Sequence, residues 1–265
     1  MSGHSKWANI KHKKEKTDKL KGKAFTRVTR EIMVAAREGG SDPNGNFRLR
    51  LAMDKAREVN MPNENIQRAI KRGTGEIEGA DYEEIMYEGY GPGGVAVLIE
   101  ILTDNRNRTA GDIRYIFSKH GGNLGESGCV SWMFEQKGLI LVGRSGTNLS
   151  EDDLMMIALD AGAQDVEASE DGFEITSATG DLEIVRKALE AQGLKIESAE
   201  TTMIPKTSVA VSGKEAAQLI RLVDALEEND DVQNVYTNHE TDDAEGAAQE
   251  EETGPDAYCP LFRER

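Results

Sequence analysis

Residues 139–203 read LILVGRSGTNLSEDDLMMIALDAGAQDVEASEDGFEITSATGDLEIVRKALEAQGLKIESAETTM. Leu139 to Val142 is a short apolar run of strand type. From Leu154 to Ala161 the spacing becomes helical, with Ser150 and Asp153 near the N-cap and N3 positions of a capping box. Asp165 to Ala168 and Phe173 to Thr176 return to strand patterning. Leu182 to Gln192 is a second helix, and Lys195 to Met203 a closing strand. The order β-α-β-β-α-β is a complete split β-α-β unit, and residues 137–204 are assigned to it.

Strand patterns flank this unit on both sides. Before it come Tyr82 to Tyr90, Val95 to Leu102 and Val130 to Phe134, with a helix carrying Ile113, Ile116 and Phe117 capped by Asp104-Asn105. After it come Thr207 to Val211, a helix with Ala216, Leu219, Ile220, Val223 and Leu226 on one face behind a Ser212/Glu215 capping box, and Val232 to Tyr236. The simplest topology nests one unit in another. Residues 77–136 plus 205–238 form an outer α+β domain, and 137–204 are inserted in it.

Ahead of these lies a different pattern. Leu20, Phe25, Val28, Ile32 and Ala35 make one helical stripe that stops at Gly39-Gly40. Asp42-Pro43 opens a second helix with Phe47, Leu51 and Ala56 inward, and Met61-Pro62 breaks it. Asn63 is placed to cap a third, ending at Gly73. Residues 1–76 therefore read as a three-helix domain with a sparsely apolar arm at its front. The fold class is α+β: a three-helix N-terminal domain, then two ferredoxin-like-type α+β units, one inserted in the other. Residues 239–265 are acidic and read as a disordered tail.

The net charge of −16 conceals a strong asymmetry. Residues 1–76 hold 18 Lys+Arg and 9 Asp+Glu, a balance of +9, whereas residues 77–265 hold 14 and 39, a balance of −25. A dipole of this kind draws the basic end toward a polyanion and turns the acidic body away. The cations crowd the arm and the helices: Lys6, Lys11, His12, Lys13, Lys14, Lys16, Lys19, Lys21, Lys23, Arg27 and Arg30, then Arg48 and Arg50, then Lys71 and Arg72. Long flexible cations suit phosphate contacts that displace condensed counterions. Trp7 offers a ring to an unpaired base, or is a packing anchor. Arg106 and Arg108, in Asn105-Arg106-Asn107-Arg108, are secondary candidates beside a plain helix-cap reading. The linker after Gly39 is too long for a helix-turn-helix, so the pattern gives no support to groove reading.

Other chemistry finds little purchase. Gly89-Tyr90-Gly91-Pro92-Gly93-Gly94 matches G-x-G-x-x-G, but an apolar β-branched run follows it, so it reads as a turn between strands, not a dinucleotide loop. The histidines His4, His12, His120 and His239 form no metal-ligand spacing. No cofactor, metal or catalytic residue is expected, and the chain reads as no enzyme. The two cysteines, Cys129 and Cys259, read as unpaired thiols of a reducing compartment. No apolar run is long enough for a membrane span. A basic start without an apolar stretch, and recognisable domain sequence from residue 2, lead us to expect no cleaved leader and a cytoplasmic protein.

The runs GHSKWANIKHKK, NMPNENIQRAIKRG, YEGYGPGG, LTDNRNRT and HGGNLGESGCVSWMF resemble the YebC/PmpR family of probable transcriptional regulatory proteins. A mitochondrial translational activator of cytochrome oxidase subunit I is related to that family. The resemblance spans residue 2 to about 238. It implies a three-domain α plus β protein of the bacterial cytoplasm, DNA binding, or in some members association with the ribosome. The absence of an extension before Met1 favours the bacterial form. It implies no cofactor and no catalytic residues, and the contact is placed on Gly3 to Lys14. The tail after Asn238 departs from the family pattern. Three functions stay open: a DNA-binding transcriptional regulator, a ribosome- or RNA-associated translation factor, and a protein-interaction scaffold. The family's label tips the choice to the first, while lysine-rich arms suit structured RNA as well as a DNA backbone. Oligomeric state is not legible.

Overall fold

The amphipathic stripes at the front of the chain become α1 (Lys21–Gly39), α2 (Phe47–Glu58) and α3 (Asn63–Gly73). The computed structural model describes residues 21–144, 150–169 and 172–241. Ile32, Ala35, Leu49, Ala52, Ala56, Ile66 and Ala69 close one core between the three helices. Helix α1 crosses α3 so closely that a Cβ on Gly73 would lie 2.3 Å from the Met33 carbonyl oxygen.

Two helix starts differ from the sequence expectation. Asp42-Pro43 does not open α2; the Asp42 carboxylate instead accepts from the Asn44 amide at 3.0 Å in a turn. The cap is Asn46, which accepts from the Leu49 amide at 3.0 Å and donates to the carbonyls of Ala35 and Gly40 at 2.7 and 2.9 Å. One buried amide thus caps α2 and binds the end of α1. Asn63 does not cap α3 but is its first residue; Pro62 stands at the cap with extended ψ and no side-chain bond.

Next come β1 (Glu83–Tyr90), β2 (Ala96–Thr103), α4 (Arg106–Lys119) and β3 (Asn123–Leu124). Pro92–Gly94 is a short 3-10 turn joining β1 to β2, so the glycine run is a hairpin turn. Gly93 sits there at φ 71°, in the left-handed region. Val130 to Phe134 is not a separate strand. Ser131–Met133 is a 3-10 turn, and β4 runs unbroken from Phe134 to Gly143. The physical reason lies beneath the turn. The buried Glu88 carboxylate accepts from the backbone amides of Gly128, Val130 and Ser131 at 2.7, 2.7 and 2.8 Å, drawing the loop into a cradle. Burial works against that charge, but the three amide donors hold its pKa below the usual range.

The inserted unit is β4, α5 (Glu151–Asp160), β5 (Ala163–Ala168), β6 (Gly172–Ser177), α6 (Leu182–Ala191) and β7 (Ile196–Pro205). Its sheet order, β5-β6-β4-β7, is that of a ferredoxin-like fold, with every neighbouring pair antiparallel. Ile140, Leu154, Phe173, Ile175, Val185 and Leu189 form its core. Ser150 caps α5 by accepting from the Asp153 amide at 3.1 Å.

The chain then returns through β8 (Val209–Val211), α7 (Gly213–Glu227), β9 (Val232–Thr237) and β10 (His239–Thr241). The outer sheet has the order β3-β1-β2-β9, and α4 and α7 cover one face through Ile113, Phe117, Leu222 and Leu226. Ser212 precedes α7 without a side-chain cap bond, so the expected Ser212/Glu215 capping box does not form. Residues 239–241 belong to the fold rather than the tail: β10 pairs in parallel with β8. The rest of the tail lies outside the described residues.

The three-helix core depends on the α1–α3 crossing. Gly73→Ala is expected to lower stability by about 1–3 kcal/mol through overpacking. In urea the midpoint should fall while the slope stays constant.

Candidate nucleic-acid interface

A helix ends with carbonyls that have no partner inside it and with the negative end of its dipole. Helix α7 ends this way beside α1, and α1 presents cations at positions 23, 27 and 30. Lys23 Nζ donates to the Glu228 carbonyl at 2.6 Å, Arg27 to the Glu227 carbonyl, and Arg30 to the Asp230 carbonyl. The N-terminal domain thereby caps a helix of the outer unit.

Asp231 completes the junction. Its Oδ1 accepts from Arg30 Nη1 at 3.0 Å. Its Oδ2 accepts from Arg108 Nη2 at 2.9 Å, Thr109 Oγ1 at 2.7 Å and Thr103 Oγ1 at 3.2 Å. Burial raises the cost of this carboxylate. Donation from Arg108 and Thr109, with the Arg30 charge, outweighs it and holds the pKa below the ordinary value. The Arg108 guanidinium is held charged by Asp231 and Asp104. Arg30 also lies over the Tyr82 ring, 5.1 Å from its centroid.

A second polar knot joins the parts. Lys55 on α2 donates to Glu31 on α1 at 3.1 Å, while Asn234 and Tyr236 on β9 donate to Glu100 on β2 at 2.8 and 3.0 Å. Burial opposes the Lys55 charge, but Glu31, Glu200 and Glu100 outweigh it and raise its pKa. Burial and the neighbouring Glu100 push the Tyr236 phenol up.

These contacts sort the cations picked out in the sequence. Lys23, Arg27, Arg30 and Arg108 are drawn into the junction. Arg48 bridges Glu38 and Glu84 at 2.7 and 2.8 Å. Arg50 is half-buried with its guanidinium 5.6 Å from the Phe47 ring. Lys71 and Arg72 stand exposed on α3, and Arg106 is exposed at the start of α4. Lys6, Trp7, Lys11, His12, Lys13, Lys14, Lys16 and Lys19 lie outside the described residues, and Lys21 opens α1. Among the described cations the fold leaves outward the C-terminal half of α3, where Arg68 joins Lys71 and Arg72. Arg68 belongs with them by its i, i+3, i+4 spacing. On α4, Arg114 and Lys119 are exposed cations that the sequence reading passed over. Their signal was the continuation of the Arg106/Arg108 cations along the same helix.

Other groups stay apart from this surface. Cys129 is a free thiol beside Glu88, and burial with that charge pushes its pKa up, away from the reactive thiolate. Among the described residues, no group of three or more His, Cys, Asp or Glu side chains could hold a metal ion. No described helix is long and apolar enough to cross a membrane.

The fold first defines a class: an α+β protein in which a three-helix part is clamped to two four-stranded α+β units, one nested in the other. Two family models match in series. The model described as TACO1/YebC protein N-terminal domain matches residues 5–76, and that described as TACO1/YebC second and third domain matches residues 82–239. The chain belongs to the TACO1/YebC family. It is 63% identical over 243 residues to a "probable transcriptional regulatory protein" of Pelotomaculum thermopropionicum, covering 92% of this chain and 100% of that one. A protein of the same description from Desulforamulus reducens is 56% identical, covering 91% and 99%. The crystal structure of a conserved hypothetical protein, Aq1575, from Aquifex aeolicus superposes with a TM-score of 0.80 at 49% identity, covering 90% of this chain and 98% of that one.

Removing one partner of a buried ion pair costs about 3–5 kcal/mol, so Asp231→Ala should destabilise the protein on that order. The unfolded carboxyl titrates near about 3.9 and the folded one lower. The contribution is therefore fully present above that unfolded value and is lost as pH falls through the folded one. Denaturant titrations across acid pH should show the gap between wild type and Asp231→Ala closing only there. A constant gap down to the most acid point would remove Asp231 from this role.

Proposed function

We propose that this chain is a nucleic-acid-binding regulator of gene expression, a DNA-binding transcriptional regulator of the cytoplasm that is not an enzyme. The observation that carries the reading is the separation of charge, +9 over residues 1–76 against −25 over the rest. The relatives' description as probable transcriptional regulatory proteins supports it. In this reading residues 1–76 are the binding domain, 77–136 plus 205–241 and 137–204 the two units behind it, and 242–265 an acidic tail. The arm makes the main contact through Lys6, Lys11, Lys13 and Lys14, and α3 contributes Lys71 and Arg72.

One observation favours a second target, structured RNA on the ribosome. A groove-reading helix turns its cations outward. Helix α1, which carries the densest described set, turns Arg27 and Arg30 into the protein. What remains suits recognition of backbone and shape, which serves folded RNA as well as duplex DNA.

Gel-shift assays on duplex DNA and co-sedimentation with ribosomes, each over a salt series, separate the two. Six phosphate contacts on duplex DNA give a log–log salt slope of about −5. Neutralising Lys11, Lys13 and Lys14 together should weaken binding and flatten that slope by about 3. Arg30→Gln should instead lower stability and leave the slope alone. An unchanged slope in the triple variant would reject the arm as the contact. Binding to ribosomes but not to duplex DNA would move the target to RNA.

A further inference from the structure

The part of the chain after residue 76 carries 14 Lys+Arg against 39 Asp+Glu, yet one helix in it is basic. Helix α4, Arg106–Lys119, holds Arg106, Arg108, Arg114 and Lys119 against the single carboxylate Asp112. Its inner face, Thr109, Ile113 and Phe117, is buried against the outer sheet. Arg108 is committed to Asp104 and Asp231. Arg106, Arg114 and Lys119 are exposed, and among the described residues none is ion-paired.

Between these cations stands an exposed aromatic ring. Tyr115 is 66% exposed, and Lys119 Nζ lies 6.0 Å from its centroid. A tyrosine so placed adds little to the core. On the same face, one turn back, is Gly111. A glycine inside a helix costs stability relative to alanine. No contact within the chain requires it, since a Cβ there would meet nothing within 4 Å. A smooth stretch of helix between a ring and cations lets another backbone approach closely.

The position of α4 extends the pattern. Arg30 of α1 and Arg108 of α4 grip the same Asp231, so the first turn of α4 lies against the helix that follows the basic arm. From Arg106 to Lys119 the helix runs about 20 Å, room for a few nucleotides.

We infer that the outer face of α4 is a second nucleic-acid site, which takes unpaired nucleotides: Arg114 and Lys119 meet the phosphates, and Tyr115 between them stacks on a base. Bases in a duplex hide their faces, so an exposed ring between cations selects single strands. The chemistry is shared by unpaired RNA and by a displaced DNA strand. The inference rests on the nucleic-acid reading above, and adds to the arm a site of different preference.

The test uses the full chain, with fluorescently labelled oligouridylate and oligothymidylate of about 12 nucleotides and a DNA duplex, read by anisotropy. Tyr115→Ala should weaken single-strand binding about tenfold, whereas Tyr115→Phe should stay within about twofold of wild type. Duplex binding should be unchanged in both. Neutralising Arg114 and Lys119 together should flatten the single-strand salt slope by about 1.4. Loss on oligouridylate alone assigns the site to RNA, and loss on oligothymidylate alone assigns it to DNA. If Tyr115→Ala binds both single strands as wild type does, the inference is wrong; a duplex slope still flattened by the arm variant would then leave the proposed function standing. If the wild type binds neither single strands nor duplex, both readings fall.

Discussion

The arrangement of the parts depends on one polar junction, the end of α7 held by α1. Carbonyls of residues 227, 228 and 230 face Lys23, Arg27 and Arg30, and Asp231 gathers Arg30, Arg108, Thr103 and Thr109 at a single carboxylate. Each partner solves a problem of the other. The carbonyls at the end of α7 lack donors within their own helix, and buried arginines need acceptors. Thr103 ends β2, Thr109 lies in α4 and Asp231 stands just before β9, so the same carboxylate also ties strand, helix and strand within the outer unit. The three-helix part is thus joined to the outer unit by direction-sensitive bonds. Apolar contact alone would fix its distance but not its rotation.

This junction changes what the charge pattern means. The balance of +9 over residues 1–76 looks like one continuous basic surface when read along the chain. In three dimensions part of it is spent inside the protein, on a helix end and a buried carboxylate. On α3, Arg68, Lys71 and Arg72 stay outward, beyond the reach of those acceptors. On α4 the structural Arg108 stands among the outward Arg106, Arg114 and Lys119, so a count of lysines and arginines cannot separate the two kinds. Only the location of the acceptors does.

The inserted unit was legible because each of its elements carries an unambiguous period. Leu139 to Val142 and Phe173 to Thr176 are buried strands, and Leu182, Val185 and Leu189 recur at helical spacing. The three N-terminal helices were legible for the same reason. What escaped was decided by contacts distant in sequence. Val130 to Phe134 has strand composition, but the Glu88 carboxylate, some forty residues earlier, bends its front into a turn. Residues 239–241 are polar, and β8 still recruits them as a strand because its edge offers unpaired backbone groups. The expected caps differ too: Asn46 accepts from the start of α2 in place of Asp42, and no side chain caps α3 or α7. The candidate site shows the same division. The basic character of the front was visible, but the withdrawal of Arg27 and Arg30 was not. Their acceptors lie about two hundred residues away.

A chain with a basic end and a strongly acidic body must keep the two from neutralising each other. Here the acidic body does take some cations from the basic end, several of them at the end of α7. Residues at the end of α7 are satisfied by three side chains of α1, while Asp231 is shared with Arg108 from its own unit. With those acceptors filled, further cations on α3 and α4 gain nothing from approaching that end. A charged junction saturated in this way sets the orientation of the helical part and protects the remaining cations from self-association. Docking between the parts and availability to a ligand follow from the same few bonds.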